Sequence, residues 1–315
     1  MHQGPGGTRP DPQRFEEPLP LTILAGSGGR SNTSERADLE RIEDYKAASL
    51  RIDGRPLIAI VLDELRCSAA FSSVRIAGPA RIYEPLGLEA DIVDTDGSVA
   101  DNLRATLQHH PGGPIAILAS DVLVRARDLS HLRRLFDDVS PCALWCPFVR
   151  VPEDPRTLGA FGWKPKYRVR PQGEPDPVAI LPGHLCIFDP QTIDLALLFQ
   201  LLDLTYATRN ASVGERKRTM LRKVLGSLLA RDLGRLVRLR APHRTWRVVH
   251  SGLRLAKRLR GPGIALDELE HLIGRIFRAD DTPAELGFRY PLVDMLSLAK
   301  DADTVDEARE LGAKI

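Results

Sequence analysis

Between Leu21 and Phe136, short apolar runs alternate with helical periods, and this rhythm constrains the fold more than any other feature of the chain. Leu21-Thr22-Ile23-Leu24-Ala25 reads as a strand. A glycine-rich turn and a polar stretch separate it from a helix across Pro56 to Ala70, apolar at positions 57, 58, 60, 61, 62 and 65. The unit recurs, with strands expected over 74–77, 90–93 and 115–119 and helices over 99–108 and 129–136. Strands joined through helices need crossover connections, and crossovers produce parallel sheets covered on both faces. The pattern therefore predicts a three-layer α/β domain with a mixed, mostly parallel sheet.

From Pro141 to Pro190 the helical period fades. Strands are expected over 143–149, 167–169 and 178–188, separated by Pro and Gly turns, as a mixed-sheet extension lying over the strand ends. A helix follows over 192–204. From Thr205 to Pro262 there are 16 Lys and Arg against only Glu215 and Asp232, a local balance of +14 that leaves −12 for the remainder. Within that stretch, apolar residues from Met220 to Val237 recur at helical spacing with cations opposite. Helical periods over 246–259 and 266–277, a strand over 293–298 and a closing helix from Thr304 complete the pattern. The organisation expected is a disordered Pro- and Gly-rich leader over 1–20, an α/β domain over 21–204 and 290–315, and a basic helical insertion over 205–289. No internal repeat of solenoid length is present.

Composition narrows the setting. Apolar residues make up 43% and charged residues 27% of 315, ordinary globular usage with ample length for a core. No apolar run approaches the roughly 18 to 20 residues that span a bilayer, and residues 1–20 lack the pattern of a secretory signal. Cys67, Cys142, Cys146 and Cys186 form no CxxC pair and are too sparse for a disulfide framework, so reduced thiols in a cytoplasm are expected.

Ala25-Gly26-Ser27-Gly28-Gly29-Arg30 follows the first strand directly. Successive small residues let backbone N–H groups converge on an anion, and Arg30 adds charge. No Gly-Lys-Ser/Thr follows at Walker spacing and the GxGxxG fingerprint is incomplete, while a plain surface turn uses the same residues. Lys46, followed by Ala47-Ala48-Ser49-Leu50, would in isolation be a solvated helix residue.

Taken together, the glycine-rich turn, then Lys46-Ala47, then Asp53-Gly54-Arg55-Pro56-Leu57-Ile58 opening a helix resemble the start of the nucleotidyltransferases of the nucleotide-diphospho-sugar transferase fold. The likeness is to the branch that includes molybdenum-cofactor guanylyltransferases and related cytidylyl- and guanylyltransferases. It continues in chain order. Gly97-Ser98-Val99-Ala100-Asp101-Asn102-Leu103 is similar to the segment before the family's second major helix, where backbone and an Asn contact the nucleotide base. Ile115-Ala116-Ile117-Leu118-Ala119-Ser120-Asp121 resembles its strand ending in an acid that holds Mg²⁺. Asp301-Ala302-Asp303-Thr304-Val305-Asp306-Glu307-Ala308 is similar to its closing segment, whose acid is the second metal ligand. The likeness covers about residues 20–190 and 290–312. Ser27 stands where the family has a second Gly, the loop to Lys46 is long and highly charged, and Val122 follows Asp121 where the family has a Pro pair.

The resemblance implies a Rossmann-like domain of that type carrying the basic helical insertion. It implies Mg²⁺-dependent transfer of a nucleoside monophosphate from a nucleoside triphosphate to a phosphorylated small-molecule acceptor, with release of pyrophosphate. Arg30, Lys46 and Asp121 would be catalytic. Ala25, Gly26, Ser27, Gly28, Gly29, Gly97, Ser98 and Asn102 would bind the nucleotide, and Asp121 and Asp303 would hold the metal. Asp303 equally suits the N-cap of a final helix, and Asp121 a turn. Lys164, Lys166 and Arg168 lie where the family recognises its acceptor, and His184 and Asp189 are further candidates. Two rival readings stand beside this one: a nucleotide-sugar-dependent glycosyltransferase on a similar fold, and a non-catalytic module that binds a membrane or a partner. The basic stretch 205–262 reads either as helices packed on the domain with snorkelling cations or as a contact with an anionic membrane surface or large anionic acceptor. Its aromatic residues are limited to Tyr206 and Trp246, which argues against nucleic acid.

Overall fold

A computed structural model describes residues 18–26, 45–154, 166–207, 222–230, 232–234 and 244–302. The first strand, β1 (Pro20–Leu24), is buried over Leu21, Thr22 and Ile23 and half-buried at its two ends, as a near-continuous apolar run is in a sheet covered on both faces. After α1 (Lys46–Ser49), the short strands β2 (Arg51–Ile52) and β3 (Arg55–Pro56) pair around the Asp53-Gly54 turn and lead into α2 (Leu57–Ser68). Next come β4 (Ser73–Gly78), α3 (Ala80–Tyr83), β5 (Asp91–Asp94), α4 (Val99–Gln108), β6 (Ile115–Ala119) and α5 (Ala126–Asp137). These match the expected strand and helix alternation to within a few residues.

Alternating strand residues divide the interior into two cores. Leu21, Ile23 and Leu118 face Leu57, Ile58, Val61 and Leu62 of α2 and Leu129, Leu132 and Phe136 of α5. Ile115 and Ile117 face the other way, packing with Leu103 of α4. Helices therefore cover both faces, and the domain has three layers.

The strands β7 (Leu144–Trp145), β8 (Phe148–Arg150), β9 (Tyr167–Arg170), β10 (Val178–Pro182) and β11 (Leu185–Phe188) follow, then α6 (Leu195–Ala207) and α7, whose described part spans 222–230. The chain continues through α8 (Arg244–Leu259), β12 (Ile264–Ala265), α9 (Leu266–Phe277), β13 (Phe288–Arg289) and β14 (Leu292–Val293). The central sheet has the order β13-β7-β11-β6-β1-β4-β5. Within it β11 alone runs against the other six strands, so the sheet is mixed and mostly parallel, as the sequence predicts. A second sheet has the order β12-β9-β10-β8-β14.

Three stretches differ from the expected single strands. Residues 143–149 divide into β7 and β8, and residues 178–188 into β10 and β11, with one half in each sheet. The strand expected over 293–298 is the two-residue β14 followed by a 3₁₀ turn over Leu296–Ala299. Pro147 and Pro291, which have no N–H to give a ladder, stand in the gaps between β7 and β8 and between β13 and β14. At the same crossing Gly183 N–H donates to Pro147 O at 2.9 Å. The described residues of 205–289 are mostly helical, yet β12 pairs with β9 and β13 pairs with β7, so its later part contributes strands to both sheets. All four cysteines are free, and no described helix is long and apolar enough to cross a membrane.

Candidate nucleotide site at the strand ends

In open α/β sheets ligands lie beyond the carboxyl ends of the strands. Leu24 and Ala119 are register partners at the ends of the adjacent strands β1 and β6, so Ala25-Gly26 and Ser120-Asp121 leave the sheet side by side. On the other flank of β1, β4 and β5 end at Gly78 and Asp94, and the loop after β5 carries Asp96, Gly97 and Ser98.

Gly26, Gly97 and Asn102 converge there. A Cβ built on Gly26 would stand 2.2 Å from Asn102 Nδ2 and 2.9 Å from Gly97 O, so only glycine allows this approach. Gly97 has φ +154°, and a Cβ on it would meet the Asp101 carboxylate at 2.8 Å. Asn102 is buried, and Thr95 Oγ1 donates to its Oδ1 at 3.3 Å. Ala25 is fixed by its N–H to Ala77 O at 2.8 Å and by the Tyr83 hydroxyl, which donates to Ala25 O at 2.7 Å.

Ser98 caps α4. Its hydroxyl accepts from Asp101 N–H at 3.2 Å, while the Asp101 carboxylate accepts from Ser98 N–H at 3.0 Å and from the Ser98 hydroxyl at 2.7 Å. The Ser98 side chain, with help from Arg104, holds the Asp101 carboxyl below its ordinary range. A carboxyl lowered in the folded state stabilises above its unfolded pKa, and that contribution disappears as pH falls through the lowered value. Ser98→Ala is expected to lose about 1 kcal/mol at neutral pH. It should also flatten the acid limb of the melting-temperature profile, which differential scanning calorimetry across pH would record.

The second group surrounds Asp121. Asp301 forms an antiparallel bridge with Val122, and Ala302 N–H donates to Asp121 O at 2.8 Å. His184 joins from the turn between β10 and β11, its N–H donating to Leu298 O at 2.9 Å and its carbonyl accepting from Ala119 N–H at 3.1 Å. Burial pushes the Asp121 carboxyl above its ordinary value; His184 and Lys46 oppose the rise, and Asp301 adds to it. Two carboxylates, an imidazole and an ammonium group thus lie within electrostatic reach at the end of β6. Lys46 is exposed at the start of α1, beside the buried Tyr45. The Tyr45 hydroxyl donates to Asp96 at 2.8 Å, and Arg81 bonds to Asp96 at 2.7 Å and to the Tyr45 oxygen at 3.1 Å. This bridge ties the start of α1 to the loop that carries Gly97.

Of the residues singled out from sequence, Ala25, Gly26, Gly97, Ser98 and Asn102 thus gather beside the end of β1, and Asp121 lies beyond the end of β6 with Lys46 within its electrostatic reach. Ser27, Gly28, Gly29, Arg30, Lys164 and Asp303 lie outside the described residues. Among the described residues Asp301, of the same Asp-Ala-Asp run as Asp303, lies within electrostatic reach of Asp121. Asp189 is elsewhere, its carboxylate accepting from Gln191 N–H at 2.9 Å. Lys166 and Arg168 are exposed on or beside β9. Sequence reasoning missed Asp301 although it belongs to the same Asp-Ala-Asp run, and missed the Tyr45–Asp96–Arg81 bridge, for which there is no local signal. Among the described residues no group of three or more His, Cys, Asp or Glu side chains is disposed to hold a metal ion. Two neighbouring carboxylates fit a hard cation that takes its other ligands from phosphate and water. The raised Asp121 carboxyl is the kind of buried charge such a cation would relieve.

The chain is similar in structure to a hypothetical transferase from Thermus thermophilus, at 20% identity over 92% of this chain and 99% of that one, with a TM-score of 0.52. More distant likenesses include a CMP:2-keto-3-deoxy-manno-octonic acid synthetase complexed with CTP, at 13% identity over 67% and 85% of the two chains with a TM-score of 0.36. Another is a mannose-1-phosphate geranyltransferase, also from Thermus thermophilus, at 13% identity over 66% and 64% with a TM-score of 0.39. No protein-family model and no curated protein sequence matches. The fold, a three-layer α/β domain with a mixed, mostly parallel sheet, is the one shared with the hypothetical transferase from Thermus thermophilus.

Proposed function

We propose that the protein is a nucleotidyltransferase, moving a nucleoside monophosphate from a nucleoside triphosphate to a phosphorylated small molecule with release of pyrophosphate. The observation that carries this reading is the convergence of two groups at the strand ends. The Gly26–Gly97–Asn102 contact forms a close backbone wall next to β1, and Asp121, Asp301, His184 and Lys46 cluster beyond β6. The order of motifs along the chain supports the same reading and its finer branch, the guanylyl- and cytidylyltransferase-like one.

In this reading the nucleoside lies against Gly26, Gly97 and Asn102, whose side-chain amide supplies both a donor and an acceptor for a base edge. The phosphates run along the turn that begins at Ala25-Gly26 and extends through Ser27, Gly28 and Gly29, with Arg30 and Lys46 offsetting their charge. Asp121 and Asp301 are the residues that would hold Mg²⁺, with Asp303 a further acid of the same run. The ion's chemistry there is to neutralise charge developing on the phosphates. A phosphate oxygen of the acceptor attacks the α-phosphorus and the bond to pyrophosphate breaks. Such a transfer depends on alignment and charge neutralisation, so it calls for no protein nucleophile.

A thermal-shift screen against ATP, CTP, GTP and UTP, with and without Mg²⁺, tests the reading, because a ligand bound only by the folded state raises the melting temperature. One nucleotide is expected to raise it by several degrees in a Mg²⁺-dependent manner. No response to any of the four, with a response to a nucleotide sugar, would replace the reading with the glycosyltransferase one.

A further inference from the structure

Among the described residues six large hydrophobic side chains are exposed, and four of them, Leu229, Leu233, Trp246 and Leu253, fall within the basic stretch. Trp246 is 71% and Leu253 65% exposed. On α8 they belong to one stripe, Trp246, His250, Leu253 and Lys257, at the i, i+4, i+7, i+11 spacing that keeps residues on one helix face. The His250 ring stacks on Trp246 with centroids 5.6 Å apart.

The cations of α8 divide by face. Arg244 pairs with Asp194 and Asp280, Arg247 with Asp280, and Arg254 and Arg258 with Glu268 of α9. Those four are engaged by the body of the protein, and Val248 and Ser251 are buried on the same side. Lys257 and Arg260 at the end of the exposed stripe, and Arg222 and Lys223 on α7, are exposed and make no ion pair among the described residues. The outward face of α8 is thus tryptophan and leucine, closed at its C-terminal end by unneutralised cations.

We propose that this face docks on a bilayer surface that contains anionic phospholipid. Trp246 and Leu253 would sit at the boundary between headgroups and acyl chains, with Lys257, Arg260 and the cations of α7 drawn to lipid phosphates. Charge complementarity selects this occupant, because Arg222, Lys223, Lys257 and Arg260 are exposed cations without ion-pair partners among the described residues. A second copy meeting the same face would set Lys257 and Arg260 against their own equals. The two other exposed large hydrophobics, Val139 and Tyr167, offer no matching apolar patch. Nucleic acid lacks a stacking row on this face, which has one exposed indole, and most arginines of α8 are already paired with carboxylates.

Co-sedimentation of the full chain with phosphatidylcholine vesicles and with equimolar phosphatidylcholine–phosphatidylglycerol vesicles tests the proposal. Pelleting is expected only with the anionic vesicles and should weaken as salt rises. Leu253→Glu is expected to lower the partition coefficient by about tenfold or more, since it sets a carboxylate in the stripe, with an unchanged melting temperature because the side chain is exposed. Trp246→Ala should act in the same direction. Equal pelleting of Leu253→Glu and the parent chain would overturn the proposal, as would no pelleting of the parent at low salt. Concentration-dependent self-association, or binding to single-stranded RNA, that Leu253→Glu abolishes while vesicles are ignored would overturn it in favour of those partners.

Discussion

Asp121→Asn is expected to reduce pyrophosphate release by about a hundredfold or more while the protein becomes more stable at neutral pH. The first effect follows from removing one of the two carboxylates that would hold Mg²⁺ against the phosphates, where single electrostatic groups are worth about 10²–10³ in rate. The second follows from the environment of the carboxyl. Burial raises it and Asp301 adds to the rise, with only partial opposition from His184 and Lys46. A carboxyl raised in the folded state keeps its proton longer than in the unfolded chain, so the folded state loses stability as pH climbs through that raised value. The amide carries no charge to desolvate, so the variant should lack this loss. Calorimetry across pH, beside a coupled pyrophosphate assay, separates the two effects. Unchanged turnover would defeat the catalytic assignment, and a lowered melting temperature at pH 7 would defeat the electrostatic one.

Gly26→Ala is expected to remove the nucleotide-dependent thermal shift and to destabilise the fold by about 1–3 kcal/mol, the usual range for overpacking a tight site. The added methyl would stand 2.2 Å from Asn102 Nδ2 and 2.9 Å from Gly97 O. Asn102 is only 2% exposed and lies within α4, so it has no open space to turn into, and the loop after β5 must move instead. Gly252→Ala is the control. Nothing lies within 4 Å of a Cβ there, and in a helix the change should stabilise by up to about 1 kcal/mol. Denaturant unfolding of both variants with the nucleotide screen would check the pair, and a full nucleotide response in Gly26→Ala would sink the proposed nucleotide wall.

The segments 25–26 and 97–102 were legible because a small-residue turn after an apolar strand and a Gly-Ser step before a helical period are patterns within a few residues. The sheet then sets Gly26 against Gly97 and Asn102, and the capping box that Ser98 makes with Asp101 came only with the structure. The carboxylate partner was legible only as a region. The Asp-Ala-Asp run marked a segment, and it is the bridge between Val122 and Asp301 that brings Asp301 to Asp121. The Tyr45–Asp96 bond links residues 51 apart and has no trace in local composition. The exposed stripe of α8 likewise had half its signal in sequence. The cations were countable, but their division into paired and unneutralised faces required knowing that Glu268, Asp194 and Asp280 pack beneath the helix.

The alternation of strands and helices was set by the order of residues alone, and with it a covered, mostly parallel sheet, because periods of 2 and 3.6 residues and parallel crossovers leave few other arrangements. The same order placed the candidate site residues on the loops after β1, β5 and β6. Three-dimensional packing chose where the later chain crosses between sheets, at Cys146-Pro147, at Gly183-His184 and at Tyr290-Pro291. Those crossings bring His184 and Asp301 to Asp121 from 63 and 180 residues away. Strand pairing over such separations is chosen by the burial of whole faces and the satisfaction of backbone hydrogen bonds across the sheet, which no local window of residues encodes.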